Sequence, residues 1–212
     1  MRVPSLVVRF GILLLVAQTA FSQIKGNSVS PAVPPQPGQM GKPLSLEDKF
    51  RYRVTGAFGP RSFLFAAATS GIAHGLDIPE RWGQDGAGYG QRFASAYGSS
   101  FARQTFAFTL ESITHQDPRY LPSGKTGFKA RFLHALQSGY RTKGDNGEWQ
   151  FAYSRYASAF GSGFLANTWQ PKGNNAPSDA VLRGVYILLG DLGYNVVQEF
   201  VPWTRPRVGR YP

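Results

Sequence analysis

From Leu44 onward the hydrophobic positions recur at helical rather than strand spacing. Ser45, followed three residues later by Asp48, has the form of a capping box and predicts a helix through about Val54. Gly59-Pro60 interrupts it. Arg61 to Gly75 then predicts a compact apolar helix with Phe63, Leu64, Ala67, Ile72 and Leu76 as candidate core, ended by Asp77-Ile78-Pro79. The longest helix is expected from about Gly88 to Thr114, stopping before Asp117-Pro118, because a proline drives the residue before it out of the helical region. Two more are expected from Gly127 to Tyr140 and from Phe151 to Thr168, on either side of the turn signal Asp145-Asn146-Gly147. After a polar loop from Pro171 to Pro177, Ser178 is placed to cap a final helix through about Phe200, closed by Pro202. No segment alternates with period two in β-branched residues, so no sheet is expected. The pattern predicts an all-α fold, a compact bundle of about five helices with small-residue packing faces.

Those faces are most explicit in the longest helix. A row of small residues, Gly86, Gly90, Ala94, Gly98 and Ala102, runs beside a row of rings, Tyr89, Phe93, Tyr97 and Phe101, both at i, i+4 spacing. A glycine inside a helix costs about 1 kcal/mol relative to alanine, so the small row predicts a close helix contact that offsets this. Ala157 with Gly161, then Ser158, Ser162 and Ala166, repeat the style further on, and the last helix adds Gly184, Gly190 and Gly193. Such rows are common where membrane helices associate. Here Arg92, Arg103, Glu111, Arg155, Arg183, Asp191 and Glu199 interrupt the helices with charge, which favours a water-soluble or membrane-surface bundle over an integral one.

The N-terminus adds an address. Arg2 and Arg9 precede the apolar run Phe10 to Ala17, and Ala20-Phe21-Ser22 offers small residues at a cleavage site, so residues 1–22 are expected to be a signal peptide cut after Ser22. The run is well short of the roughly 20 residues of a spanning helix. Prolines at 31, 34, 35, 37 and 43 make residues 23–43 a disordered linker, followed by a helical domain over 44–205 and a flexible tail over 206–212. The chain contains no Cys, which excludes disulfides and thiolate metal sites. Without Arg2 and Arg9, the remaining 21 basic and 12 acidic residues leave a net charge of +9. For an exported chain in the periplasm or at the outer-membrane periphery, that charge points to an anionic membrane surface or envelope component rather than nucleic acid. A homo-oligomer is compatible with the sequence.

Two polar constellations are candidates for chemistry. Asp191, Asn195 and Glu199 share one face of the last helix, as a binding site or as inner partners of Arg92, Arg103 or Arg155 in a buried ionic network. Glu111 and His115 lie one turn apart with Asp117 just beyond, the best acid–base or metal-dependent candidate in the chain. The cluster lacks Glu-x-x-His and His-Glu-x-x-His spacing, and neither a nucleophile elbow nor a phosphate-binding loop occurs, so no metal or cofactor is expected. Three elements, Trp82-Gly83-Gln84 leading to Gly88-Tyr89-Gly90-Gln91-Arg92-Phe93, then Asp117-Pro118-Arg119-Tyr120, then Asn195 with Glu199-Phe200, resemble those of a family of uncharacterised exported bacterial proteins. The resemblance implies a self-contained folded unit from near Leu44 and supplies no catalytic residues. The expected function is a non-enzymatic binding or scaffolding domain at a membrane surface. The alternative is a hydrolase or metal-dependent enzyme using Glu111, His115 and Asp117 with Asp191 and Glu199.

Overall fold

The computed structural model describes residues 43–201 and Thr204. The expected signal peptide, all of the expected linker but Pro43, and the tail 206–212 lie outside the described residues.

Helix α1 (Leu46–Phe58) begins at the capping box: Ser45 Oγ accepts from the Asp48 N–H at 3.1 Å, and Asp48 Oδ2 accepts from the Ser45 N–H at 3.3 Å. It runs past Val54, and the Gly59 N–H still bonds Thr55 O at 2.9 Å. There the chain extends and restarts at once as α2 (Pro60–Gly75), with proline at the first helical position, where an N–H would have no partner anyway. A Cβ at Gly59 would stand 2.4 Å from Thr55 O, so this joint requires glycine. Together α1 and α2 make one broken rod antiparallel to α3 (Gly86–Thr114). Phe50 meets Phe108 at one end, Phe58 meets Phe101 near the middle, and Phe63 meets Phe93 towards the other.

The remaining rods are α4 (Phe128–Gln137), α5 (Tyr153–Ala166) and α6 (Pro177–Phe200). α5 lies between α3 and α6, and α4 packs on α6, which completes an all-α bundle of five rods. α6 starts one residue before Ser178. Ala176 is its N-cap, Pro177 supplies the pre-set first turn, and the Asp179 carboxylate accepts from the Ala176 N–H at 2.9 Å. One small sheet corrects the expectation of none: β1 (Arg141–Lys143) pairs antiparallel with β2 (Trp149–Phe151), Lys143 opposite Trp149. Three-residue strands are too short to register as alternation; the turn between them, with Gly147 at φ 85°, was the visible part.

What fills the bundle is the larger correction. Phe63, Leu64 and Leu76, expected in the core, are exposed by 55%, 37% and 41%, while Ala66 and Ser70 are the residues of α2 that are buried. Among the described residues, the buried hydrophobic ones apart from Leu44 are alanines: Ala57, Ala66, Ala102, Ala107, Ala135, Ala152, Ala159, Ala166 and Ala180. The ring row of α3 forms the seam with α1 and α2, Tyr89 Oη donating to Ala67 O at 3.3 Å. The small row beside it does not pack as expected: Gly86, Gly90 and Gly98 have nothing within 4 Å of a built Cβ, and Ala94 is exposed. Only Ala102 of that row is buried. The close crossing is between α5 and α6, where a Cβ on Gly163 would lie 2.5 Å from Ala180 O and one on Gly184 would lie 2.3 Å from the Phe160 ring.

Candidate functional site

Charged side chains converge where large apolar ones do not. Lys49, Arg92, Glu111, Asp117 and Glu199 are all at most 3% exposed. A buried charge needs a partner, and each has one. Arg53 donates from Nε to Glu111 Oε2 at 2.8 Å and makes a second bond from Nη2, while its Nη1 reaches Gln104 Oε1 at 2.8 Å. Lys49 pairs with Asp145 at 2.7 Å. Arg103 of α3 is bonded to Asp191 of α6.

The sequence-based candidates therefore separate. Glu111 is held by Arg53. His115, the left-handed C-cap of α3, is exposed with Nδ1 3.5 Å from Asp145, and Asp117 is taken by Arg119. Among the described residues, no three His, Asp or Glu side chains stand together as a metal site would require. On α6, Asp191 meets Arg103 as one of the suggested ionic partners. Asn195 is buried with Nδ2 lacking a partner, and Glu199 joins a different group. Glu199 accepts from Tyr120 Oη at 2.8 Å, Ser123 Oγ at 2.5 Å, the Ser123 N–H at 3.1 Å and Arg131 Nε at 3.2 Å. Burial pushes its carboxyl up, but the hydrogen bonds from Ser123, Tyr120 and Arg131 outweigh that and hold it below the ordinary carboxylate range. Arg92 works at the far end of α3 as a loop clamp. It donates to the carbonyls of Ile78 at 2.9 Å, Pro79 at 2.9 Å and Gly83 at 2.6 Å, and to Asp77 at 3.1 Å.

A second grouping gathers four cations around a single carboxylate, Asp117, which pairs with Arg119. The β-hairpin, the segment after α3 and the first turn of α5 border a shallow cleft, partly open to solvent. Arg119, Arg141, Lys143 and Arg155 line it together with Tyr120 and Trp149, and among the described residues no carboxylate does. Each element has a local reason to be there. Asp117 bonds β1 through its own N–H to Lys143 O at 2.8 Å, and receives Thr142 Oγ1 on its carbonyl at 2.8 Å. Its carboxylate then fixes Arg119, accepting Nε at 2.9 and 3.1 Å and Nη2 at 2.5 Å. Arg141 and Lys143, two apart on β1, flank the Trp149 ring at 5.6 and 5.4 Å from its centroid. Among the described residues, Arg155 is anchored on the carbonyls of Ser138 and Gly139. Burial pulls its guanidinium down from the usual range, Asp191 opposing the effect while Arg103 and Arg53 add to it.

Sequence reasoning passed over Arg141, Lys143 and Trp149 because it placed them between helices. The signal available was Arg-Thr-Lys, cations two apart, immediately before the Asp145-Asn146-Gly147 turn. The cations give the cleft the charge to attract an anion; Ser138, which also lines it, has Oγ 3.5 Å from His134 Nε2, a nitrogen that is itself bonded to Leu121 O at 2.9 Å. Comparison with protein-family models, curated proteins and solved structures finds no match to the chain.

Proposed function

We propose that the chain is an exported cell-envelope protein whose bundle serves as a non-enzymatic binding or scaffolding module at a membrane surface. One observation carries this: the large apolar side chains stand outside and the ionic pairs inside, the reverse of a water-soluble core. α2 turns out Phe63, Leu64, Phe65 and Leu76; α3 turns out Phe101, Phe106 and Ile113; α6 turns out Val181, Leu182, Val185 and Leu189. Over the middle of the rods charge is absent or turned inward. Ser62 to Ala73 and Gly184 to Gly190 carry none, and between Phe93 and Thr114 the only two, Arg103 and Glu111, are in ion pairs. Exposed apolar surface on this scale marks an interaction face.

Lengths favour contact with the membrane over crossing it. α5 has 14 residues, about 21 Å at 1.5 Å each, against a hydrocarbon layer of about 30 Å. Among the described residues only α6 is long and apolar enough to cross, and Arg61 stands outward at the joint of the α1–α2 rod. Only 17% of the apolar stretch of α6 is buried, so it is not the central helix of a soluble core. The hydrolytic alternative has less support, because Glu111, Asp117, Asp191 and Glu199 are each occupied by an arginine.

Fractionating cells that express the chain tests the reading. The expected result is a processed protein starting at Gln23 in the envelope membrane fraction, released by alkaline carbonate. Full-length protein in the cytosol would overturn it.

A further inference from the structure

Arg119, Arg141, Lys143 and Arg155 come from three separate elements and meet at one cleft. Among the described residues Arg141, Lys143 and Arg155 have no carboxylate partner; the first two rest on Trp149 and the third on backbone carbonyls. Keeping cations of one sign together, one of them largely out of water, is unfavourable unless an anion completes the group. Elsewhere Glu111 supplies that anion for Arg53 and Asp191 for Arg103. Here Asp117 supplies it for Arg119 alone. Arg119 is also pre-oriented, because the Asp117 carboxylate holds one edge of its guanidinium in place.

We propose that this cleft binds a phosphate group, either of a lipid headgroup or of a small soluble phosphate. Guanidinium forks and an ammonium arriving from different directions suit a tetrahedral anion with several acceptor oxygens better than a planar carboxylate with two. Trp149 gives the site an apolar wall that positions Arg141 and Lys143, and Tyr120 closes another side while bonded to Glu199.

The test compares wild-type protein with an Arg141→Glu/Lys143→Glu variant. Both side chains reach solvent and neither pairs with a buried group, so the variant is expected to keep the wild-type circular dichroism spectrum. In solution, inorganic phosphate and glycerol phosphate are titrated while the Trp fluorescence and melting temperature are followed. In a second arm, vesicles of phosphatidylcholine with and without roughly one third phosphatidylglycerol are compared. Saturable binding of a soluble phosphate that weakens about tenfold or more in the variant supports the site and a soluble source. A preference for phosphatidylglycerol vesicles lost in the variant, without soluble binding, supports it with a lipid source. Equal responses of both proteins in both arms overturn it. The vesicle arm rests on the membrane reading above and the solution arm does not. Retention on neutral vesicles reports the apolar surface alone, so the two failures are distinguishable.

Discussion

Arg53 and Glu111 show what a single pair contributes. Both lie between α1 and α3, and removing one leaves the other buried without a counter-charge. Arg53→Met is therefore expected to destabilise by about 3–5 kcal/mol, while the Arg53→Met/Glu111→Leu double variant recovers much of the loss. Denaturant titration of the wild type and these two variants checks this; a double variant no better than the single would mean that the pair itself stabilises. Beside it, burial drives the Tyr52 hydroxyl up to about 12 despite Arg53. Glu199 carries a pH dependence of the opposite kind. Its folded-state pKa is lowered, so its contribution is full above the unfolded carboxylate value of about 4.3 and is lost as pH falls through the lower folded value. The melting temperature of the wild type should fall on acidification through that window, and that of Glu199→Gln should start lower and change less. At this scale the sequence was partly legible. Ser45 with Asp48 and the stop before Asp117-Pro118 are local chemistry and read directly, and Arg103 is one of the three arginines that the sequence offers Asp191 as a partner. That Glu199 would meet Tyr120, Ser123 and Arg131 was not legible, since these partners lie 68 to 79 residues away.

Among the elements, α3 and the α5–α6 crossing separate two kinds of small residue. Gly90 and Gly98 face open space, so Gly90→Leu and Gly98→Leu are expected to change stability by no more than about 0.5 kcal/mol or to raise it, since leucine is the better helix former. Gly184→Leu must displace the Phe160 ring, and Gly163→Leu must move a backbone carbonyl. Each is expected to cost at least about 1–3 kcal/mol. Thermal melts of the four variants decide it, and equal losses at Gly90 and Gly184 would contradict the assignment. Periodicity located both rows and did not say which way they face. A helix whose outer side is as apolar as its inner side has no amphipathic signal to orient it, which is why Phe63 and Leu64 were expected inside and are found outside. Strands β1 and β2 were hidden for another reason, their length of three residues each.

As a whole molecule, the chain combines an alanine-and-ion interior with a surface of rings and aliphatic side chains. In water that arrangement leaves Phe50, Phe58, Phe63, Ile113 and Phe128 more than half exposed, a standing penalty that contact with hydrocarbon removes. All-α character was legible from spacing alone. The inversion of inside and outside needed the arrangement of the rods, because Arg53, Arg103 and Arg131 find Glu111, Asp191 and Glu199 only across the bundle. The most direct measurement is flotation of the purified protein with neutral phosphatidylcholine vesicles, comparing wild type with a Val185→Asp/Leu189→Asp variant of the outer face of α6. The wild type is expected to float with the vesicles, and the variant, equally folded, to stay behind. A wild type that stays behind, or a variant that floats just as well, would contradict it.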